Sequence, residues 1–129
     1  MLKILMVDDE PDAEQLFRQN FRREIRKNQY EFIFAQSGQE ALNALTGPDA
    51  PGVILLLSDI NMPGMTGLEL LDHVQKQTPE LKVFMITAYG DPDTEADAKK
   101  RGAERLISKP VDFEQLKSTL ADLSQEIIG

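Results

Sequence analysis

Short apolar runs alternate with longer amphipathic segments along the chain. Uninterrupted apolar runs of about four to eight residues predict strands, and apolar residues recurring every three or four positions predict helices. The first and third runs are almost wholly apolar, as strands buried on both faces of a parallel sheet are, whereas the short fifth run carries Arg105 and indicates an edge. The predicted strands are Leu2–Val7, Glu31–Ala35, Val53–Ser58, Lys82–Thr87 and Arg105–Ser108.

Five amphipathic segments predict five helices. The first is expected over about Pro11–Lys27, the second starts after a Ser37 cap with Glu40 completing a capping box, and the third spans Gly67–Gln77. The fourth, about 92–101, has only alanines as apolar residues, so we expect it to be weakly anchored and to move most easily. Core-facing positions elsewhere are Ala13, Leu16, Phe17, Phe21 and Ile25 in the first helix, Ala41, Leu42 and Leu45 in the second, and Phe113, Leu116, Leu120, Leu123 and Ile127 in the fifth.

Alternation of strands and helices is typical of a parallel sheet covered by helices on both faces. A chain of 129 residues suits one domain with one sizeable core. The sequence therefore predicts a single (βα)5 domain of the α/β class over residues 1–129.

Composition excludes several function classes. The formal net charge is −8, which argues against non-specific binding to nucleic acid, and the absence of cysteine excludes a disulfide framework or a thiolate metal site. No segment approaches the roughly 20 apolar residues that span a bilayer, and no leader peptide precedes the first strand. We expect a cytoplasmic protein with no membrane partner.

Charged side chains follow three of the predicted strands. Asp8 and Asp9 come after the first strand, Asp59 after the third and Lys109 after the fifth. Because the carboxyl ends of parallel strands meet at one edge of the sheet, these groups are expected to converge. Three carboxylates repel each other unless a cation lies among them, and hard divalent cations such as Mg²⁺ take carboxylate ligands. A divalent metal, a phosphoryl group and one lysine would balance the charge.

Each of these residues also has a simpler interpretation. Asp9 is a candidate N-cap, although one cap does not explain two further carboxylates beside it. Asp59 and Thr87 are alternatively polar residues that end strands, and Lys109 a solvated surface lysine. In the functional interpretation Asp59 is a nucleophile toward phosphorus, and the carbonyl of Asn61 turns back toward the metal. The loop after the first strand lacks the glycines that a nucleotide phosphate site needs.

Four motifs in fixed order resemble the receiver domain of two-component response regulators. The resemblance covers essentially the whole chain, with family-like spacing. The matching segments are Val7-Asp8-Asp9-Glu10, Ser58-Asp59-Ile60-Asn61-Met62-Pro63-Gly64-Met65-Thr66-Gly67, Thr87-Ala88 and Ser108-Lys109-Pro110.

The resemblance implies a flavodoxin-like, doubly wound sheet of order 2-1-3-4-5. It also implies that Asp59 accepts a phosphoryl group from a sensor histidine kinase or a histidine phosphotransfer protein. Asp9, Asp59 and the Asn61 carbonyl would bind Mg²⁺ directly and Asp8 through water, while Lys109 pairs with Asp59 and Thr87 turns its hydroxyl toward the phosphate. Such a domain catalyses its own phosphorylation and dephosphorylation and turns over no other substrate.

One position departs from the family pattern. Receivers usually carry Tyr or Phe three residues before the lysine, where this chain has Leu106, and often Phe after the proline, where it has Val111. The usual aromatic readout is therefore not expected. Output to a further domain or a downstream protein would pass through the loop around Tyr89 or through the fourth and fifth helices, whose face is also a candidate homodimer surface.

Two alternative functions remain open from the sequence. One is a receiver-like interaction module that does not use its phosphosite, and the other is a Mg²⁺-dependent phosphohydrolase, for which no cap segment is found. His73 is interpreted as a surface residue because no second histidine accompanies it. The Arg-rich first helix, including Arg18 and Arg22, is either a solvated face or a surface that docks the kinase partner.

Overall fold

A five-stranded parallel sheet forms the centre of the computed structural model, which describes residues 2–48, 50–88 and 92–128, and side chains as far as residue 126. The order of strands is β2-β1-β3-β4-β5, which confirms the predicted arrangement. All the pairings are parallel. The strands are β1 (Leu2–Val7), β2 (Tyr30–Ala35), β3 (Val53–Asp59), β4 (Lys82–Thr87) and β5 (Arg105–Ser108).

Helices follow every strand, and the predicted second to fifth helices correspond to α3 to α6. None of the described helices combines the length and apolar character that a membrane span requires. The helices are α1 (Pro11–Asn20), α2 (Arg22–Arg26), α3 (Gly38–Thr46), α4 (Gly67–Gln77), α5 (Pro92–Lys100) and α6 (Phe113–Ile128).

The prediction of one uninterrupted first helix is wrong. Two helices, α1 and α2, meet at Phe21, whose φ of −102° and ψ of 15° leave the helical region. The Asn20 side-chain amide donates to the carbonyl of Leu16 at 2.9 Å, the same carbonyl that the backbone N–H of Asn20 would use in a regular helix. The hydrogen bond from Phe21 N–H to the Phe17 carbonyl, at 2.9 Å, persists, so the distortion is local.

The core has two layers because successive side chains of a strand point to opposite faces of the sheet. In β1, Leu5 and Val7 face the layer that α3, α4 and α5 cover, whereas Ile4 and Met6 face the layer under α1, α2 and α6. The predicted stripes of α3 and α6 pack into these layers, except for Ile127, whose side chain lies outside the described residues.

Leu16 does not belong to the core, contrary to the prediction. Its side chain is 49% exposed, whereas Phe17 and Phe21 are almost fully buried. The contact between α1 and α6 is made instead by Phe17, whose ring centroid lies 5.0 Å from that of Phe113. Leu16 is left on the flank of α1.

The cap of α3 also differs in detail from the prediction. Ser37 accepts a hydrogen bond from the Glu40 N–H at 3.1 Å, as expected. The Glu40 carboxylate, however, accepts from the N–H of Gln36 at 3.1 Å rather than from Ser37 itself. A complete capping box is found instead at the start of α4, between Thr66 and Glu69.

An ion pair joins α2 to α6 next to the ring of Phe21. Glu24 Oε2 lies 3.0 Å from Lys117 Nζ, and the Lys117 ammonium is 5.4 Å from the centroid of the Phe21 ring. Burial raises the pKa of Glu24, but the hydrogen bond and charge of Lys117 outweigh it, so the pKa of Glu24 lies below its ordinary 4.5. The pair therefore stabilises the folded state when Glu24 is ionised.

We predict that Glu24→Gln lowers the free energy of unfolding at neutral pH by about 1–3 kcal/mol, since a partly buried charge-assisted hydrogen bond is lost. Because the folded-state pKa is depressed, this contribution is complete above pH 4.5 and disappears as pH falls through the lower folded-state pKa. Urea titrations of both proteins from pH 7 to pH 3 should converge. Glu14→Gln, which removes the exposed pair with Arg18, should cost less than about 0.5 kcal/mol. A difference between wild type and Glu24→Gln that does not change with pH would contradict the assignment.

Candidate functional site

Three carboxylates meet at the carboxyl edge of the sheet, as predicted. The side chains of Asp8, Asp9 and Asp59 each offer an oxygen within 4.8 Å of the others. The register between β1 and β3 brings them together, because Val7 pairs with Ser58 and the residue after each lies at the end of its strand. The sheet thus fixes the spacing of the cluster.

Two of these carboxylates are buried. Asp59 is 4% exposed and Asp8 is 8% exposed, while Asp9 is half-buried. Asp8 accepts a hydrogen bond from the N–H of Glu10 at 2.9 Å. Burial raises the pKa of Asp8 above its ordinary value, the charge of Asp59 adds to this, and the Glu10 N–H and the charge of Lys109 oppose it in part. The site therefore holds negative charge at an energetic cost that a cation would relieve.

Lys109 supplies one such cation. Its ammonium donates to Asp59 Oδ2 at 2.8 Å and lies 3.9 Å from Asp8 Oδ2. Partial burial lowers the pKa of Lys109, but the hydrogen bond and charge of Asp59 raise it by more, so the pKa lies above its ordinary value and the lysine stays protonated. The Lys109 N–H donates to the carbonyl of Thr87 at 2.8 Å, which fixes the backbone at the end of β5.

The donor set suits a hard divalent cation. Three carboxylates and one ammonium leave two negative charges without compensation inside the cluster. All the donors are carboxylate oxygens, the ligands that Mg²⁺ and Ca²⁺ prefer, and no nitrogen or sulfur ligand accompanies them. The residues present therefore fit the Mg²⁺ ion that the sequence predicts.

The two remaining predicted residues are close to the cluster. Asn61 donates its backbone N–H to Asp59 Oδ1 at 3.3 Å, while the role expected for its carbonyl stays a prediction. Thr87 ends β4 and is 3% exposed, one residue beyond Ile86, the β4 partner of Asp59. Tyr89, at which we expected the output loop, lies outside the described residues.

Asp9 is not the N-cap of α1. The helix begins at Pro11, its N-cap is Glu10, and no side chain caps it through a hydrogen bond. This finding removes the simpler interpretation of Asp9. His73 is exposed on α4, as expected. Leu106, at the position of the expected aromatic residue, is half-buried and packs against the core on the α5 side of the sheet.

Gly67 has a role that the sequence interpretation missed. A Cβ atom at this position would lie 2.1 Å from the carbonyl oxygen of Asp59 and 2.8 Å from Cα of Ile60. The Gly67 N–H donates to the Ile60 carbonyl at 2.8 Å, so α4 begins in direct contact with the end of β3. The signal was present in the sequence: a glycine directly after Thr66, with Glu69 completing the capping box of a helix.

An apolar groove of about 960 Å³ opens beside the acidic cluster, between α1 and the segment that joins β5 to α6. Asp8, Glu10 and Lys109 lie at its end next to the cluster, and Gln15 and Gln19 line its rim. The arginines of α1 and α2 are outside its lining. Its apolar lining includes Ala13, Leu16, Phe17, Ile86, Val111 and Phe113.

Comparisons with known proteins agree on one family. The family model of the response regulator receiver domain matches residues 4–121. The response regulator protein PilR of Pseudomonas aeruginosa is 35% identical over 92% of this chain, which spans 25% of that protein's length. Sporulation initiation phosphotransferase F of Bacillus subtilis is 31% identical, with 92% of this chain and 90% of that protein covered.

A solved structure shows the same likeness. The receiver domain of NtrX from Brucella abortus has a TM-score of 0.79 and 36% sequence identity, with 92% of this chain and 95% of that chain covered. The two chains therefore share one fold over almost their whole lengths.

We predict that Gly67→Ala lowers the stability by about 1–3 kcal/mol and weakens Mg²⁺ binding, because the new methyl group meets backbone atoms that cannot move aside. Chemical denaturation and calorimetric Mg²⁺ titration measure the two effects. Gly38→Ala is the matched control: Gly38 also occupies the first position of a helix, but the three atoms nearest its new methyl group all belong to the side chain of Met65 and none to the backbone. Equal losses in the two variants would contradict the role given to Gly67.

Proposed function

The chain belongs to the response regulator receiver domain family, and we propose that it accepts a phosphoryl group on Asp59 from a phosphohistidine of a partner protein. Residues 1–129 are proposed to form one receiver domain. The observation that supports this most directly is the pairing of a buried Asp59 with the Lys109 ammonium at 2.8 Å, inside a cluster of three carboxylates. A buried carboxylate with cations on one side is arranged as a nucleophile toward phosphorus.

In the proposed reaction an Asp59 carboxylate oxygen attacks the phosphorus of the donor phosphohistidine. The new P–O bond gives an acyl phosphate, the P–N bond breaks, and the imidazole leaves. Lys109 already touches Asp59 Oδ2 and would follow the charge onto the phosphoryl oxygens. Such transfers depend mainly on positioning and on neutralising the equatorial oxygens.

Asp9, Asp59 and the Asn61 carbonyl are proposed to hold Mg²⁺, with Asp8 acting through water. When bound, the ion supplies charge neutralisation for the phosphoryl oxygens. The protein's own part is to hold the carboxylates in place. Asp8 does so through its hydrogen bond to the Glu10 N–H, and Asp59 through its contacts with Asn61 and Lys109.

The phosphoryl group carries a charge of about −1.5 to −2 at the end of β3, where the unmodified Asp59 carboxylate carries about −1. Thr87 is proposed to turn its hydroxyl toward the phosphate, and Lys109 to keep its contact. The changed charge would bias a conformational equilibrium that controls an output domain or a downstream protein. Beyond its own phosphorylation and dephosphorylation, we expect no turnover of a substrate.

The apolar groove is proposed to receive the helix of the kinase or phosphotransfer protein that carries the histidine. It ends at the acidic cluster, so a helix lying in it would bring its histidine to Asp59. Leu16, 49% exposed at its edge, is suited to contact an apolar stripe on that helix. Arg18 pairs with Glu14 at 3.0 Å and lies 4.8 Å from the Phe34 ring centroid. Arg18 and Arg22 are both outside the lining of the groove, so we expect them to contribute less than Leu16 to binding of the partner.

We predict that purified protein incubated with acetyl phosphate and Mg²⁺ acquires an acid-stable label on Asp59. Asp59→Asn should abolish the label because the nucleophile is gone, and Asp9→Asn should reduce it at least tenfold because a metal ligand is lost. Intact-mass measurement and acid-stable radiolabel determine the extent of labelling.

Wild-type protein that takes no label from acetyl phosphate or from any phosphorylated kinase would contradict the proposal and favour an interaction module that does not use its phosphosite. Repeated turnover of a phosphomonoester would instead favour a phosphohydrolase.

We predict that Leu16→Asp slows phosphoryl transfer from a phosphorylated histidine protein by about tenfold, since a charge is placed at the edge of an apolar contact. Labelling by acetyl phosphate should be unchanged, because a small donor does not need the groove. Arg22→Glu, in α2 and outside the lining of the groove, is the control, and its transfer rate should change less than about threefold. A larger effect at Arg22 than at Leu16 would mean that the partner docks on the arginines.

A further inference from the structure

Helix α4 contacts both the acidic cluster and the distal end of α5. It begins at Gly67, against the backbone of Asp59 and Ile60. Farther along, Asp72 and Gln75 lie three residues apart and therefore share one face of the helix. Both side chains contact the corner that follows α5, which consists of Arg101 and Gly102. One helix therefore connects the end of β3 with the end of α5.

The contact at that corner is close and polar. Arg101 Nη1 donates to Asp72 Oδ2 at 2.6 Å, and Arg101 Nε donates to Asp97 Oδ1 at 2.9 Å. The Gln75 side-chain amide is 3.5 Å from the Gly102 carbonyl. Gly102 has a φ of +113°, and a Cβ atom there would lie 2.7 Å from the Gln75 side chain. The corner is thus shaped to fit against α4.

Helix α5 buries little of its surface. Ala98 is its one buried residue, and its five charged side chains are exposed or only partly buried. The Ala103 N–H donates to the Ala98 carbonyl at 3.0 Å, which closes the end of α5, and the Glu104 N–H donates to the Val83 carbonyl of β4 at 2.8 Å. A weakly packed helix of this kind responds to small changes in free energy.

We propose that the Asp72–Arg101 ion pair couples the phosphorylation state of Asp59 to the position of α5 through α4. The inference rests on the proposed function and names the regulatory route from that site. Leu106 packs into the core beside α5 and offers no ring that could turn between β5 and α5. The contact between α4 and Arg101 supplies a continuous link from the phosphoacceptor strand to a helix with a single buried residue.

Partly exposed ion pairs contribute little to global stability. The side chains of Arg101 and Asp72 are 33% and 46% exposed, so their pair acts on α5 rather than on the fold as a whole. The expected consequence of breaking it is therefore local. It should change how α5 responds to phosphorylation, while the central strands stay as protected from solvent as before.

Two variants separate the coupling contact from a purely local one. Asp72→Asn removes the link between α4 and α5 and keeps the Asp97–Arg101 pair. Asp97→Asn removes the Asp97–Arg101 pair and keeps the Asp72–Arg101 link to α4. Both replace one carboxylate of similar exposure, 46% and 42%, and both contact the same arginine.

The experiment measures hydrogen exchange of backbone amides in residues 92–100, before and after labelling with acetyl phosphate and Mg²⁺. In wild type and Asp97→Asn, phosphorylation should change the exchange rates of α5 by about threefold to tenfold. In Asp72→Asn the change should fall below about twofold. The extent of labelling, measured by intact mass on the same samples, should be equal in all three proteins.

Three results would overturn the inference. An equal response of α5 in the two variants would show that the ion pair to α4 carries no coupling. Labelled wild-type protein whose α5 does not respond would refute the route while leaving the proposed function intact. Wild-type protein that takes no label would refute the proposed function, and the inference would fall with it.

Discussion

The repulsion among three aspartates is the constraint on which the site depends. At 4.8 Å two like charges repel by about 3–4 kcal/mol at an effective dielectric constant of about 20, and here two of the groups are buried. The register of β1 and β3 forces them together, and Lys109 compensates one charge. The sheet's hydrophobic packing on both faces stabilises this arrangement. A bound divalent cation would neutralise the negative charge that remains.

Close backbone packing extends that constraint into α4. The absence of a side chain at Gly67 lets the first turn of α4 touch the Asp59 carbonyl, and the capping box of Thr66 and Glu69 fixes where the helix starts. A change at the end of β3 therefore acts on the beginning of a rigid helix. The opposite side of the site is different in character, because the apolar groove along α1 is bounded by side chains and is open to a partner.

The fold and the site were largely predictable from the sequence. Uninterrupted apolar runs identified all five strands, and charged residues directly after them identified Asp8, Asp9, Asp59 and Lys109. Both signals are local. A strand that is buried on both faces is apolar throughout, and a charged residue can follow it where the strand ends at the edge of the sheet. The roles of these residues, and those of Thr87 and Asn61, come from the resemblance to the receiver family and stay proposals.

Only the tertiary structure decided which helical residues face what. Periodicity placed Leu16 in the core, but its neighbour Phe17 makes the contact with Phe113 and Leu16 is exposed. The first helix breaks at Phe21, next to Asn20, whose side chain donates to the carbonyl of Leu16. The contacts of Gly67 with Asp59, and of Asp72 with Arg101 across 29 residues of sequence, depend on how distant elements pack. A sequence pattern records the period of each element, whereas the distance between elements is set by the volumes of the side chains packed between them.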